Sequence, residues 1–295
     1  MKQYQFLLFL SFLILASCKD SANVDFDAFA TDEIPQELPI PFKPELVPDN
    51  YLIHRGVFSN DLEEYYFTIS DSAFSNFSIK VSKKFEGRWS EPEDAFFNSQ
   101  YSDHGMSFSP DGNKLVFSST RPVDRDGVLE TWHLWQCVKQ NGKWTEPEFI
   151  DIPNLRTKLV SHPTLAEDGT LYFHSSELDY SEMAIYSANL VSGKYEDAKK
   201  LDFQNMPKSD FCTPYISSGG QHLLFAKVGE SLELFVCNKN SENEWSLPSK
   251  LPDAINQAGQ GNPYLTPDAK YLFFAAENEN RWEVKWVSTK SFLKE

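Results

Sequence analysis

The stretch FSPDGNKLVF, Phe108–Phe117, decides the fold, because it returns along the chain at roughly fifty-residue intervals. Further copies are PTLAEDGTLYF at Pro163–Phe173, PYISSGGQHLLF at Pro214–Phe225, PYLTPDAKYLFF at Pro263–Phe274 and a degraded VFSNDLEEYYF at Val57–Phe67. Each copy alternates apolar and polar residues on both sides of a turn-forming pair, Asp-Gly, Gly-Gly or Asp-Ala, and so predicts a β-hairpin. A third strand is expected after each hairpin, at Phe77–Val81, Trp132–Val138, Met183–Ala188, Leu232–Cys237 and Trp282–Val287. An aromatic spacer follows: GRWSEPE at Gly87–Glu93, GKWTEPE at Gly142–Glu148, GKYEDAK at Gly193–Lys199 and NEWSLPS at Asn243–Ser249. Hairpin, third strand and outer strand make the four-stranded antiparallel unit of a propeller blade.

Blades must stack in a closed ring to bury both faces. The hairpin appears five times but the aromatic outer strand only four times after it. Phe42-Lys43-Pro44-Glu45-Leu46 resembles Trp144-Thr145-Glu146-Pro147-Glu148, so residues Phe42–Val47 are expected to form the outer strand of the last blade and close the ring. The prediction is an all-β chain with a single β-propeller over residues 42–295, of five blades, with six as the alternative count.

The Ser-Pro-Asp-Gly phrase with Lys-Leu-Val-Phe-Ser-Ser-Thr-Arg, Ser109–Arg121, resembles the TolB-like, WD40-like propeller repeat, and the Trp-x-x-Pro spacer resembles its bacterial envelope members. Ser218-Gly219-Gly220 and Asp268-Ala269 depart from the full Asp-Gly signature, and five blades is below the family's usual six or seven. The resemblance implies a propeller fold but no single activity, since such repeats occur in periplasmic scaffolds, beside peptidase domains and in polysaccharide lyases.

Lys2 and the apolar run Phe6–Ala16 have the form of a signal peptide over residues 1–17, too short to span a bilayer comfortably. Leu15-Ala16-Ser17-Cys18 resembles a lipobox, which implies lipidation at Cys18 and a membrane anchor. Residues 18–41 are acidic and proline-bearing and are expected to form an extended tether. Lys19, where an inner-membrane retention Asp would stand, favours an outer-membrane lipoprotein, facing the periplasm or the cell surface.

A net charge of −16 argues against nucleic-acid binding and against adhesion to anionic lipid. Cys137 and Cys237 fall on equivalent strands of non-adjacent blades, beyond disulfide reach, and no cysteines stand at zinc-ligand spacing. Nucleophile-elbow, phosphate-loop and dinucleotide signatures are absent from the sequence. The recurring aromatics Trp89, Trp144, Tyr195 and Trp245 are read as packing residues, as are Trp132, Trp135, Trp282 and Trp286 on the third strands.

Loops entering the innermost strands meet at the mouth of a propeller. Aligning the repeats places His54, Arg55, Asp103, His104, His162, Asp210, Gln260 and Asn262 there. The expected function is a noncatalytic binding or scaffold module for an envelope protein, peptide or glycan, needing no cofactor. The alternative is a metal-dependent polysaccharide-processing enzyme in which His54, His104 and His162 hold a divalent metal or act as acid and base.

Overall fold

The computed structural model describes residues 29–31, 33–48, 50–241, 244–257, 261–278 and 281–293. The signal peptide and Cys18 lie outside the described residues, as do half of the tether and Gln260. The described chain forms five four-stranded antiparallel blades arranged as a propeller. Blade 1 runs Leu52–Phe58, Glu64–Ser70, Phe77–Phe85 and Glu93–Asp94. Blade 2 comprises Asp103–Phe108, Lys114–Ser119, His133–Gln140 and Glu148–Phe149. In blade 3 the strands are Leu159–Leu165, Leu171–Ser176, Ala184–Ala188 and Lys199–Lys200. Blade 4 contains Phe211–Ile216, His222–Lys227, Glu233–Asn238 and Ser249–Lys250. Tyr264–Leu265, Tyr271–Asn278 and Arg281–Ser288 belong to blade 5.

The repeated phrase works through its turn. Ser109 Oγ donates to Asp111 Oδ1 at 2.5 Å and accepts from Lys114 N at 2.9 Å, while Asp111 Oδ1 also accepts from Asn113 N at 3.0 Å. Gly112 then takes the left-handed backbone (φ 68°) that lets the chain reverse. Ser59 with Asp61, and Thr266 with Asp268, rebuild the same bonds. Leu62 and Ala269 occupy the left-handed position in those turns, at a steric cost that glycine avoids.

The aromatic spacer is two short strands rather than one. Trp89 and Trp144 pair with Lys84 and Lys139 at the far end of the long third strands, and the chain turns back before Glu93–Asp94 and Glu148–Phe149 form the outer strands. Trp89, Trp144, Tyr195 and Trp245 are half-buried against the cores, as packing residues should be. At the centre of the second strands, Phe67, Phe117, Phe173, Phe225 and Phe273 are fully buried.

An N-terminal strand closes the ring as expected, but it lies two residues upstream of the predicted one. Ile40 and Pro41 pair with Trp286 and Lys285 of the last blade, and Phe42 N donates to Val284 O at 2.8 Å. Pro44–Leu46 forms a 3-10 turn instead, because Pro44 has no N–H for a sheet and suits a helical start. Ser288 N also donates to Gln36 O at 3.1 Å, so the latch reaches into the stretch assigned to the tether. Phe29, completely buried, packs among Phe42, Phe58, Tyr271, Phe273 and Trp286, with ring centroids 5.2–6.4 Å away. Trp89 Nε1 donates to Phe29 O at 3.0 Å and ties this knot to blade 1.

Phe42 bridges the first and last blades within this knot, touching Tyr65 and Phe273. A Phe42→Ala variant is expected to lose about 3–5 kcal/mol of stability. Chemical denaturation measures this, and a loss below about 1 kcal/mol would remove Phe42 from the closure.

Candidate functional site

Each innermost strand of blades 1 to 4 breaks register with its neighbour at one place: between Ile53 and Gly56, His104 and Ser107, Ser161 and Thr164, and Cys212 and Tyr215. These are β-bulges, which locally re-aim side chains. Four residues ahead of the first residue of each hairpin turn, Ser59, Ser109, Ala166, Ser217 and Thr266, the bulge positions are Arg55, Gly105, His162, Thr213 and Asn262. The last four have φ of 63°, 55°, 45° and 55°, a left-handed kink repeated in successive blades. Glycine takes this kink without strain at position 105, where an added Cβ would lie 3.1 Å from the His162 ring and would have to displace it slightly.

The bulges knit neighbouring blades together. The N–H of each reaches a side chain on the preceding blade: Gly105 to Thr68 Oγ1 (3.3 Å), His162 to Ser118 Oγ (2.9 Å) and Thr213 to His174 Nδ1 (3.2 Å). Thr68, Ser118 and His174 are equivalent, each following the buried phenylalanine. Blade 4 has Ala226 there, and Asn262 N turns instead to Thr213 Oγ1 at 3.2 Å.

Above the bulges opens a cavity of about 630 Å³ whose lining includes His54, Arg55, His104, His162, His174 and Asn262. Its walls are aromatic and aliphatic, from Phe77, Trp132 and Trp282 to Leu159, Met183 and Leu232. Trp132 and Trp282, expected as core packing, are only half-buried and face this cavity, whereas Trp135 and Trp286 are buried.

The structure brings together His54, Arg55, His104, His162 and Asn262 from the residues predicted at the mouth. Two others are elsewhere. The Asp103 carboxylate accepts from Ser99 N (2.7 Å), Ser99 Oγ (2.8 Å) and Arg121 Nη2 (2.8 Å), and braces a loop of blade 2. Asp210 is exposed and does not line the cavity; its main chain bonds Met183 and Val228. The sequence alignment had slipped by one residue in blade 2 and two in blade 4, where Cys212-Thr213 holds the equivalent place. His174 was missed altogether, although the polar residue after each of the first three buried phenylalanines marks it.

The imidazoles of His104, His162 and His174 form a row with centroids 4.5 and 4.8 Å apart. His104 Nε2 and His162 Nδ1 share Ser161 Oγ, at 3.2 and 3.1 Å. His54 stands apart, its Nε2 on Ser70 Oγ at 2.7 Å and its ring against Phe77 and Trp282. Burial lowers the pKa of His54 to about 4 and of His174 to about 3, and holds His104 and His162 well below the usual value, reinforced by neighbouring imidazoles and Arg55. All four are neutral at pH 7. Among the described residues no three His, Cys, Asp or Glu side chains are grouped to share a metal ion.

Arg55 lies at the floor, 1% exposed. Its Nη2 donates to Pro214 O of blade 4 at 2.9 Å, while Nε and Nη1 have no hydrogen-bond partner among the described residues. The cavity lining contains no Asp, Glu or Lys, so Arg55 is its one permanent charge among the described residues. Burial lowers its pKa to about 10, which leaves it a cation at neutral pH.

Because the unfolded chain binds protons to these histidines near pH 6.5 and the folded chain resists doing so, stability is full above pH 6.5 and declines as pH falls toward 4. A His174→Gln variant is expected to flatten that slope between pH 6.5 and 4.5, on the order of 1 kcal/mol per pH unit. Denaturation midpoints against pH measure it, and an unchanged slope would place His174 in a solvated, protonatable setting.

No family model matches the chain, and no curated relative does. Among solved structures, TolB from Acinetobacter baumannii superposes with a TM-score of 0.54 at 14% identity, over 83% of this chain and 53% of that one. A protein assigned as TolB from Agrobacterium tumefaciens gives a TM-score of 0.51 at 14% identity, over 82% of this chain and 79% of that one. The chain thus spans about half the length of the first and about four-fifths of the second. Its fold is that of a TolB-like β-propeller, built here with five blades.

Proposed function

We propose that this propeller is a noncatalytic binding module of a bacterial envelope, held to the outer membrane through lipid on Cys18 and facing the periplasm or the cell surface. Its mouth cavity receives part of an envelope protein, peptide or glycan. The observation that carries this reading is the cavity itself: about 630 Å³, walled by aromatics and floored by a buried, incompletely paired arginine. Such concave, mostly apolar sites with a few polar groups are the usual form of ligand pockets. The stacking of His162 on His174, and the sharing of one serine hydroxyl by His104 and His162, favour a structural use of these rings over an acid–base or metal-holding one.

Tyr180 lines the cavity and is 61% exposed, while Phe85, 74% exposed, does not line it. A photocrosslinking residue placed at each position in living cells, read by mass spectrometry, is expected to give a discrete adduct from position 180 and none from 85. The reverse pattern would put recognition on the outer rim. A Cys18→Ser variant is expected to move from the membrane to the soluble fraction after cell lysis. Unchanged membrane fractionation would count against the lipid anchor.

A further inference from the structure

Buried arginines are ordinarily paired, because leaving a guanidinium without an acceptor or counter-charge in a low-dielectric site costs several kcal/mol. Arg55 breaks this rule in a chain with ample carboxylates to spare, 43 Asp and Glu residues against 27 Lys and Arg. Elsewhere the fold does supply the partner: Asp103 meets Arg121 at 2.8 Å, and Asp151 meets Arg156 at 2.7 Å. At Arg55 the electrostatic neighbours are instead Tyr215 and Cys212. Burial pushes the pKa of both upward, so neither supplies an anion at neutral pH. Its position is also exceptional, since it is the bulge residue of blade 1 and reaches blade 4.

We infer that the cavity is a carboxylate site, in which Arg55 takes the carboxylate of an organic acid whose apolar body lies against Phe77, Trp132 and Trp282. This rests on the binding-module reading and names the chemistry of its ligand. A monoanion is favoured over a phosphate dianion because one cation lines the cavity and no second Lys or Arg joins it among the described residues. Neutral imidazoles beside Arg55 offer N–H donors without competing for the anion. Asn262, the bulge residue of blade 5, has a buried Oδ1 that is also unpartnered among the described residues. Rotation of its amide presents an N–H to an oxyanion. Nε and Nη1 of Arg55 have almost no free surface at the cavity floor, so a ligand oxygen reaches them when the floor yields by about an atomic radius.

The carboxylate belongs either to a free small acid or to the end of a peptide, and the test separates the two. Calorimetry on the mature chain compares phenylacetate with phenylacetamide, and acetyl-Ala-Ala-Phe with its C-terminal amide. Each acid is expected to bind at least tenfold more tightly than its amide, the contribution of a charge-assisted hydrogen bond. A peptide acid that binds tenfold more tightly than phenylacetate identifies a chain terminus, and comparable or weaker peptide binding identifies a free acid. Arg55→Met is expected to abolish the preference for acid over amide; should that variant not fold, the comparison on the native chain decides alone. Equal binding of acids and amides would overturn the inference while leaving the cavity a binding site. Absence of binding by either acid up to about 10 mM would overturn it as well. Failure of the module reading shows separately, in the crosslink from position 180.

Discussion

Closure of the ring is the constraint on which the rest of this structure depends. A blade exposes two apolar faces, and five of them bury those faces only if the last meets the first. Here the meeting is made by Ile40 and Pro41, laid against Trp286 and Lys285 of the third strand of blade 5, and by Phe42, whose N–H donates to Val284 O. Aromatic packing reinforces it, since Phe29, Phe42, Phe58, Phe273 and Trp286 come from the latch, the first blade and the last. Edge-to-face contacts of this kind add to the area they bury. With the ring shut, the innermost strands converge at fixed spacing, and whatever they carry is held on a rigid frame.

What they carry is a repeated irregularity. The bulge turns one residue per blade out of the sheet, and its freed N–H is satisfied by the blade before it in four successive junctions. Hydrogen bonding that a regular ladder would use within one blade is thereby redirected to the neighbouring blade. Arg55 and His162 are themselves bulge residues, while His104 just ahead of a bulge and His174 on a second strand complete the imidazole row in the same cavity. Satisfied backbone beside an unsatisfied guanidinium is the contrast that gives the cavity its chemical meaning, because buried polar groups in folded chains are otherwise almost always paired.

Much of this was legible in the residues. The turns, the alternating strands and the buried phenylalanines repeat closely enough to give the blade, and five as the expected number with six as the alternative. Trp89 and Trp144 were correctly read as packing residues, although their sequence could not show that the spacer folds back before the outer strand. The mouth was read less well, for a physical reason. A bulge inserts a residue that hydrophobic alternation does not register, so aligning the loops ahead of the strands misplaced Asp103 and Asp210. For the second strands the Phe117-Ser118 and Phe173-His174 pairs offered a ruler that marks His174, since a buried aromatic cannot slip without emptying the core, and for the innermost strands the turn residues Ser109, Ala166 and Ser217 offered one. Trp282 shares its strand with buried Trp286, and Trp132 stands just ahead of the strand that carries buried Trp135; only that end of each strand reaches the cavity. The closing strand was displaced because Pro44 in the matching phrase favours a turn where Pro147 precedes a strand.

The central claim is that Arg55 is held without a counter-charge, its Nε and Nη1 unpartnered among the described residues, at the floor of the mouth for an anion supplied by a ligand. Nitrogen-detected NMR of the arginine side chains, assigned by comparison with an Arg55→Lys variant and followed during titration with phenylacetate, tests it most directly. The account predicts that the Arg55 Nε–H resonance moves saturably with the acid and stays still with phenylacetamide. A bound phenylacetate that leaves Arg55 unmoved would contradict it.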